Sequence, residues 1–181
     1  GLRKEIGGHG LSKFLDRNRF AQDPDLFRMF QPEDFGGKRN PDANLCVTNP
    51  ETRNIVADGF KKVLKNTGKS IYAIHAWADD LPGGGWCLCP SCRSYSPEDQ
   101  NMLGMHLLCR AADKEKSHVR IPVIAYHDTL APGRQIPPDP RMFLLWAPRE
   151  RCYAHAIDDP ACARNAIYWK ALLDWLQKFK N

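Results

Sequence analysis

Two adjacent carboxylates, Asp79 and Asp80, close an apolar run at 70–77 (SIYAIHAW), and a glycine-rich stretch, Leu81-Pro82-Gly83-Gly84-Gly85-Trp86, follows them. Hydrolysis of a glycosidic bond needs one carboxyl kept protonated and one partner that stabilises positive charge at the anomeric carbon. Neighbouring acids can divide those roles, because like charges close together push one pKa up. Successive residues of a strand point to opposite faces, so both acids face one site only if the chain turns at Asp79. The three glycines beyond can supply that turn. In the plainer alternative, one Asp caps a turn and the other is solvated.

The second constellation is Cys87-Leu88-Cys89-Pro90-Ser91-Cys92. A C-x-C-x-x-C spacing offers three thiolates to one ion, and thiolates favour zinc. Cys46 is the candidate fourth ligand. The rival is two disulfides among the same four residues in an oxidising compartment. Both versions require Cys46 to lie beside the cluster. A Cys152–Cys162 disulfide would bracket a loop holding His155, and Cys109, on an apolar helix stripe, is then the remaining thiol of seven.

These residues must be positioned by regular elements. Asn49-Pro50-Glu51 opens a helix with a side-chain cap, a proline in the first turn and an acid behind it. Val56, Phe60, Val63 and Thr67 recur at helical spacing up to Gly68. Ser96-Pro97-Glu98-Asp99 opens a second helix with Met102, Met105 and Cys109 on one stripe. A third runs from Asn165 with Ile167, Tyr168, Ala171, Leu172, Trp175, Leu176 and Phe179 as a broad apolar face. Between them, 70–77, 119–126 (VRIPVIAY) and 142–146 (MFLLW) are continuous apolar runs of strand length, with 45–47 a weaker fourth. Asp23-Pro24-Asp25 can cap a short helix through Phe27 and Phe30. The alternation predicts a parallel α/β sheet or barrel.

In such folds ligands meet the carboxyl ends of the strands. There the sequence places Asp79 and Asp80, then His127 and Asp128, then 147–151 with Tyr153 and His155, and Gly7-Gly8-His9-Gly10 lies near the start. Rings and charged groups of this kind make a sugar site, with His9, Trp77, Tyr126, His127, Arg151 and His155 as the binding candidates. His75, His106 and His118 read as structural. The 127–141 segment carries four prolines and links two strands with no room for a helix. A long ordered connection of that kind is usually functional or covers a site.

The 181 residues fit one domain, 1–181. Five Trp, eight Phe and five Tyr exclude global disorder. No run approaches the ~20 apolar residues of a bilayer span. The net charge of +5 is modest and scattered, and the basic residues show no face with interleaved aromatics, so no nucleic-acid partner is expected.

The ordered series of motifs resembles the bacterial glycoside-hydrolase-like family catalogued as domain of unknown function 4838. Its elements are Gly7-Gly8-His9, Asp23-Pro24-Asp25-Leu26-Phe27, Gly37-Lys38-Arg39, and Leu45-Cys46-Val47-Thr48-Asn49-Pro50-Glu51. Asp79 ahead of Cys87, Cys89 and Cys92, then Tyr126, then Arg151-Cys152-Tyr153-Ala154-His155, complete it. The resemblance implies a (β/α) barrel related to polysaccharide-degrading enzymes, usually exported by bacteria to the periplasm, cell surface or medium. That export favours disulfides over zinc. Asp79 aligns with the family's carboxylate, whereas Asp80 stands where glycine is common.

The expectation is therefore part of a TIM-type barrel, since a whole one takes ~250 residues. Its open edges call for self-association or a larger assembly. The expected function is hydrolysis of glycosidic bonds, with Asp79, and Asp80 beside it, as catalytic carboxylates. The alternatives are a non-catalytic glycan-binding or assembly module and a zinc-organised interaction domain.

Overall fold

The computed structural model describes residues 2–81 and 84–180, so Pro82 and Gly83 of the glycine-rich stretch lie outside the described residues. The elements are β1 (Lys4–His9), β2 (Phe27–Met29), β3 (Arg39–Leu45), α1 (Pro50–Lys65), β4 (Ile71–Trp77), α2 (Pro97–Lys114), β5 (Ile121–Ala125), β6 (Met142–Trp146) and α3 (Ala163–Lys178).

The helices start where capping chemistry puts them. Asn49 Oδ1 accepts the backbone N–H groups of Glu51 and Thr52 ahead of α1. Ser96 Oγ accepts that of Asp99 ahead of α2. Each cap satisfies orphan donors of a first turn. Thr52, Val56, Phe60 and Leu64 of α1, four residues apart, are buried. In α2, Met102, Met105, Leu108, Cys109 and Ala112 are buried. α3 begins at Ala163, two residues before the expected Asn165, with Cys162 at its cap position. It buries Ala171 and Trp175, whose indole N–H donates to the Leu130 carbonyl, but leaves Ile167, Leu173 and Leu176 exposed.

Four strands run parallel, each beside the previous one in chain order. β1 pairs with β4. β4 meets β5 through the Ala73–Arg120 bridge, and β5 pairs with β6. β5 is buried along its whole length, as a parallel strand covered on both faces should be. No closed barrel forms among the described residues. Ile74 and Ala76 of β4 and Ile121, Val123 and Ala125 of β5 join the core with residues of all three helices. By strand alternation His75 and Trp77 take the other face. There the two rings meet edge to face at 4.9 Å, and His75 Nε2 contacts Glu5 Oε2 at 2.7 Å.

Two expectations are corrected. The 45–47 run is not a member of the parallel sheet: β3 ends at Leu45 and pairs antiparallel with β2. Asp23-Pro24-Asp25 opens only a single tight turn, after which Phe27 enters β2 with its ring buried. Pairing with β3 satisfies that backbone better than an isolated short helix could. The strand β1 carries no apolar periodicity and was not expected. It exists because Gly7, at φ +104°, lets β1 pass against β4, where a Cβ would sit 2.0 Å from the His75 carbonyl oxygen.

Gly7→Ala is therefore expected to force β1 off β4, lowering stability by at least about 2 kcal/mol through clash and positive-φ strain. A urea midpoint shift at unchanged slope measures it. A midpoint equal to that of the wild type would show that the close approach carries no weight.

Candidate functional site

The carboxyl ends of β1, β4 and β5 enclose a narrow cleft lined in part by His9, Asp79, Trp86, Asn101, Tyr126 and His127. Asp79 is held from several sides. Ser12 Oγ donates to its Oδ1 at 2.7 Å, and Arg17 lies 3.8 Å from its Oδ2. Its backbone N–H donates to Asn44 Oδ1 at 2.6 Å, which fixes the turn after β4. His9 Nδ1 donates to the Ala78 carbonyl at 2.6 Å, and its ring meets Trp77 at 5.3 Å and Tyr126 at 6.3 Å.

Across the cleft, His127 adopts φ +46°, a strained conformation for a non-glycine residue. Its ring is gripped at both nitrogens: Nε2 lies 3.3 Å from Asp80 Oδ1 and Nδ1 3.0 Å from Glu150 Oε1. Arg149 Nη1 donates to the Tyr126 hydroxyl at 2.7 Å. Asp128 Oδ2 accepts from the Gly84 N–H and the Trp86 indole, tying Gly84 and Trp86 down at the cleft mouth. Six of the eight residues expected at this edge, Asp79, Asp80, His9, Trp77, Tyr126 and His127, are thus gathered together.

Arg151 and His155 are not brought there. Arg151 lies over the Tyr153 ring at 4.2 Å, and His155 is exposed next to Cys152. Arg149 and Glu150 take the places expected of them. Their one sequence signal was position, just after the end of β6. Ser12 and Asn44 carried no signal, since both act on Asp79 only through the fold.

Beside the cleft, Cys46, Cys87, Cys89 and Cys92 form one buried cluster with all donor atoms within 4.8 Å of one another. Cys46 Sγ lies 3.7 Å from Cys89 Sγ and 3.8 Å from Cys92 Sγ. A tetrahedral ion with metal–sulfur bonds near 2.3 Å spaces its sulfurs about 3.8 Å apart. A disulfide needs them about 2.05 Å apart. All seven cysteines are free thiols. The two-disulfide arrangement and the Cys152–Cys162 link are therefore corrected: sulfurs grouped around one point suit a shared ion rather than pairs. Bonding to Cys87, and then to Cys92, draws the Cys46 thiol far below its ordinary range. Bonding to Cys46 pushes Cys87 up to about 12 and raises Cys92 too. Thiolates packed this closely repel one another, so full ionisation of four buried sulfurs needs a cation. The donor set fits a metal ion, with the Met29 N–H on Cys87 Sγ at 3.3 Å and Thr48 Oγ1 3.1 Å from Cys92 Sγ completing the shell.

The cysteine segment is clamped by Gln100, a fully buried amide in the first turn of α2. Its Oε1 accepts the Cys87 N–H, and its Nε2 donates to the carbonyls of Cys87, Cys92 and Tyr95. Asp99 beside it accepts the N–H groups of Arg134, Gln135 and Ile136, anchoring the proline-rich 127–141 connection. Gly133 is required there, since a Cβ would lie 2.3 Å from Asp99 Oδ1. Cys109 is buried in the core, and burial pushes its thiol up. His106 and His118 bond to the carbonyls of Pro137 and Ile71, the structural roles expected of them.

Gln100→Leu strips partners from buried backbone groups of the cysteine segment and is expected to cost about 3 kcal/mol or more. The denaturant midpoint reads this, and a shift below about 1 kcal/mol would show that the segment is held by other contacts.

No helix among the described residues is long and apolar enough to cross a membrane. No curated protein and no solved structure gives a significant match to the chain. A family profile described as a domain of unknown function (DUF4838) matches residues 2–180. With that match running almost end to end, the chain belongs to the DUF4838 family.

Proposed function

We propose that the cleft hydrolyses glycosidic bonds of a polysaccharide or glycan. One observation carries this reading: a carboxylate fixed by Ser12, Asn44 and Arg17 shares a cleft with an imidazole held between two further carboxylates. Asp79, engaged as an acceptor, suits stabilisation of positive charge at the anomeric carbon. Asp80, on the His127 ring that Glu150 also contacts, suits proton transfer, since the imidazole can pass a proton between the two acids. The rings of His9, Trp77 and Tyr126 offer apolar faces to a sugar, and Arg149 offers donors to its hydroxyls. A glycan-binding module without turnover would use the same rings and donors.

Parallel strands in chain order, with helices on one face, support the reading of this chain as part of a (β/α) barrel. The exposed Ile167, Leu173 and Leu176 of α3 support self-association or a larger assembly. Export to the periplasm, cell surface or medium is carried over from the resemblance. We infer zinc as the ion of the cysteine cluster, because an all-thiolate, closed, buried set suits a structural zinc. When bound, the ion would fasten the 84–95 segment to Thr48 and the end of β3, beside the cleft wall. It has no part in the proton transfers.

Against a panel of para-nitrophenyl glycosides and polysaccharides, Asp79→Asn is expected to lower kcat by about 10²–10³ with glycan binding retained, through loss of charge stabilisation. Asp80→Asn is expected to lower it less. Full turnover by Asp79→Asn removes Asp79 from the reaction, and glycan binding by the wild type without turnover on any substrate selects the binding module. Native mass spectrometry is expected to find a zinc ion that Cys89→Ser loses, together with a fall in thermal midpoint. Identical metal content in wild type and variant would dismiss the ion at this cluster.

A further inference from the structure

A second group of metal-ligating side chains lies away from the cleft: Cys152, His155 and Cys162, whose donor atoms also fall within 4.8 Å of one another. Cys152 Sγ is 3.3 Å from His155 Nδ1. The three come from a stretch, 147–162, with no strand or helix, in which 153–156 are all exposed. Such a segment has little apolar burial to hold it. Nevertheless the backbone of Cys152, His155 and Ala156 is held by one side chain. Asn165, fully buried in the first turn of α3, accepts the Cys152 N–H at its Oδ1. Its Nδ2 donates to the carbonyls of Cys152, His155 and Ala156.

The same device frames the four-cysteine cluster. There Gln100, also buried and also in the first turn of the helix that follows, makes one acceptor and three donor bonds to the backbone carrying the sulfurs. In both places a helix-borne amide fixes the backbone of a ligand segment before any ligand bond forms, which is how outer-shell groups orient metal ligands. At the second place the donor set is two sulfurs and an imidazole. Cys162 at the start of α3 adds the partial positive charge of a helix N-terminus near its thiolate.

We propose that Cys152, His155 and Cys162 bind a second zinc ion, with His155 Nδ1 and two thiolates as ligands and the fourth position open to solvent. Two thiolates and one imidazole form a donor set that zinc accepts with a water or external ligand in fourth place. Binding releases the two thiol protons to solvent and involves no redox step. The ion would pin the segment whose preceding residues, Arg149 and Glu150, reach Tyr126 and His127 in the cleft. Tyr153 already links the two, its hydroxyl donating to the Arg149 carbonyl at 2.9 Å. The proposal stands apart from the hydrolytic reading, because its test reads metal content rather than turnover.

The whole chain, purified under reducing conditions and loaded with zinc, is titrated and weighed by native mass spectrometry. The wild type is expected to carry two ions. His155→Ala, at an exposed position, and Cys152→Ser are each expected to carry one, with circular dichroism unchanged, while Cys89→Ser keeps the ion at this second place. Cobalt(II) should report the same partition by its visible bands, weaker sulfur charge transfer marking the two-thiolate site. One ion on the wild type, two ions retained by both His155→Ala and Cys152→Ser, or a Cys152–Cys162 disulfide in protein isolated under reducing conditions would each overturn the proposal.

Discussion

Four sulfurs buried around one point set the constraint on which this side of the molecule depends. Cys46 follows the β2–β3 ribbon, and Cys87, Cys89 and Cys92 lie between the glycine-rich stretch and α2. Among the described residues the ribbon shares no ladder with the parallel strands. Phe27 and Leu45 pack it into the same core as those strands, and the thiol cluster fastens its end, reinforced by Met29, whose N–H meets Cys87 and whose carbonyl accepts the Leu88 N–H. Burying four thiolates together is unfavourable unless they share a cation. The cluster therefore couples the ribbon, the glycine-rich stretch and the first turn of α2 into one unit.

That unit also positions the chemistry. Asn44, at the end of β3 and two residues before Cys46, receives the backbone N–H of Asp79. Asp79 is thereby located by the ribbon as well as by its own strand. Ser12, just after β1, closes the opposite side, and β1 reaches that place only because Gly7 permits close contact with β4. The cleft is thus built from long-range contacts, some of them 67 residues apart in the chain. Its polar groups are fixed before any ligand arrives, which is the arrangement electrostatic stabilisation requires.

A second theme is the buried amide or acid in a first helical turn. Asp99 and Gln100 in α2, and Asn165 in α3, each bind the backbone of irregular segments that have little apolar surface to bury. A helix start is rigid and presents side chains toward the preceding loop. Amides carry both a donor and an acceptor, so one residue can satisfy N–H and C=O groups together. The proline-rich connection and the 152–156 segment are ordered in this way by polar satisfaction, and the 87–92 segment by polar satisfaction together with burial of its cysteines.

The sequence by itself determined the elements whose causes are local. The caps Asn49 and Ser96 and the apolar run at Met142–Trp146 placed α1, α2 and β6, because capping and periodicity act within a few residues. It also pointed to Cys46 as the partner of Cys87, Cys89 and Cys92, since a C-x-C-x-x-C spacing supplies three thiolates where a tetrahedral ion takes four, and it marked Asp79 by its place after an apolar strand. Only the tertiary structure decided the rest. β1 has no apolar pattern and depends on β4 for its existence. Phe27 entered a strand because β3 was there to pair with it. Arg149 and Glu150, rather than Arg151 and His155, reach His127, because the chain beyond β6 turns His155 toward Cys152 and Cys162, and no spacing within that segment records the direction of the turn.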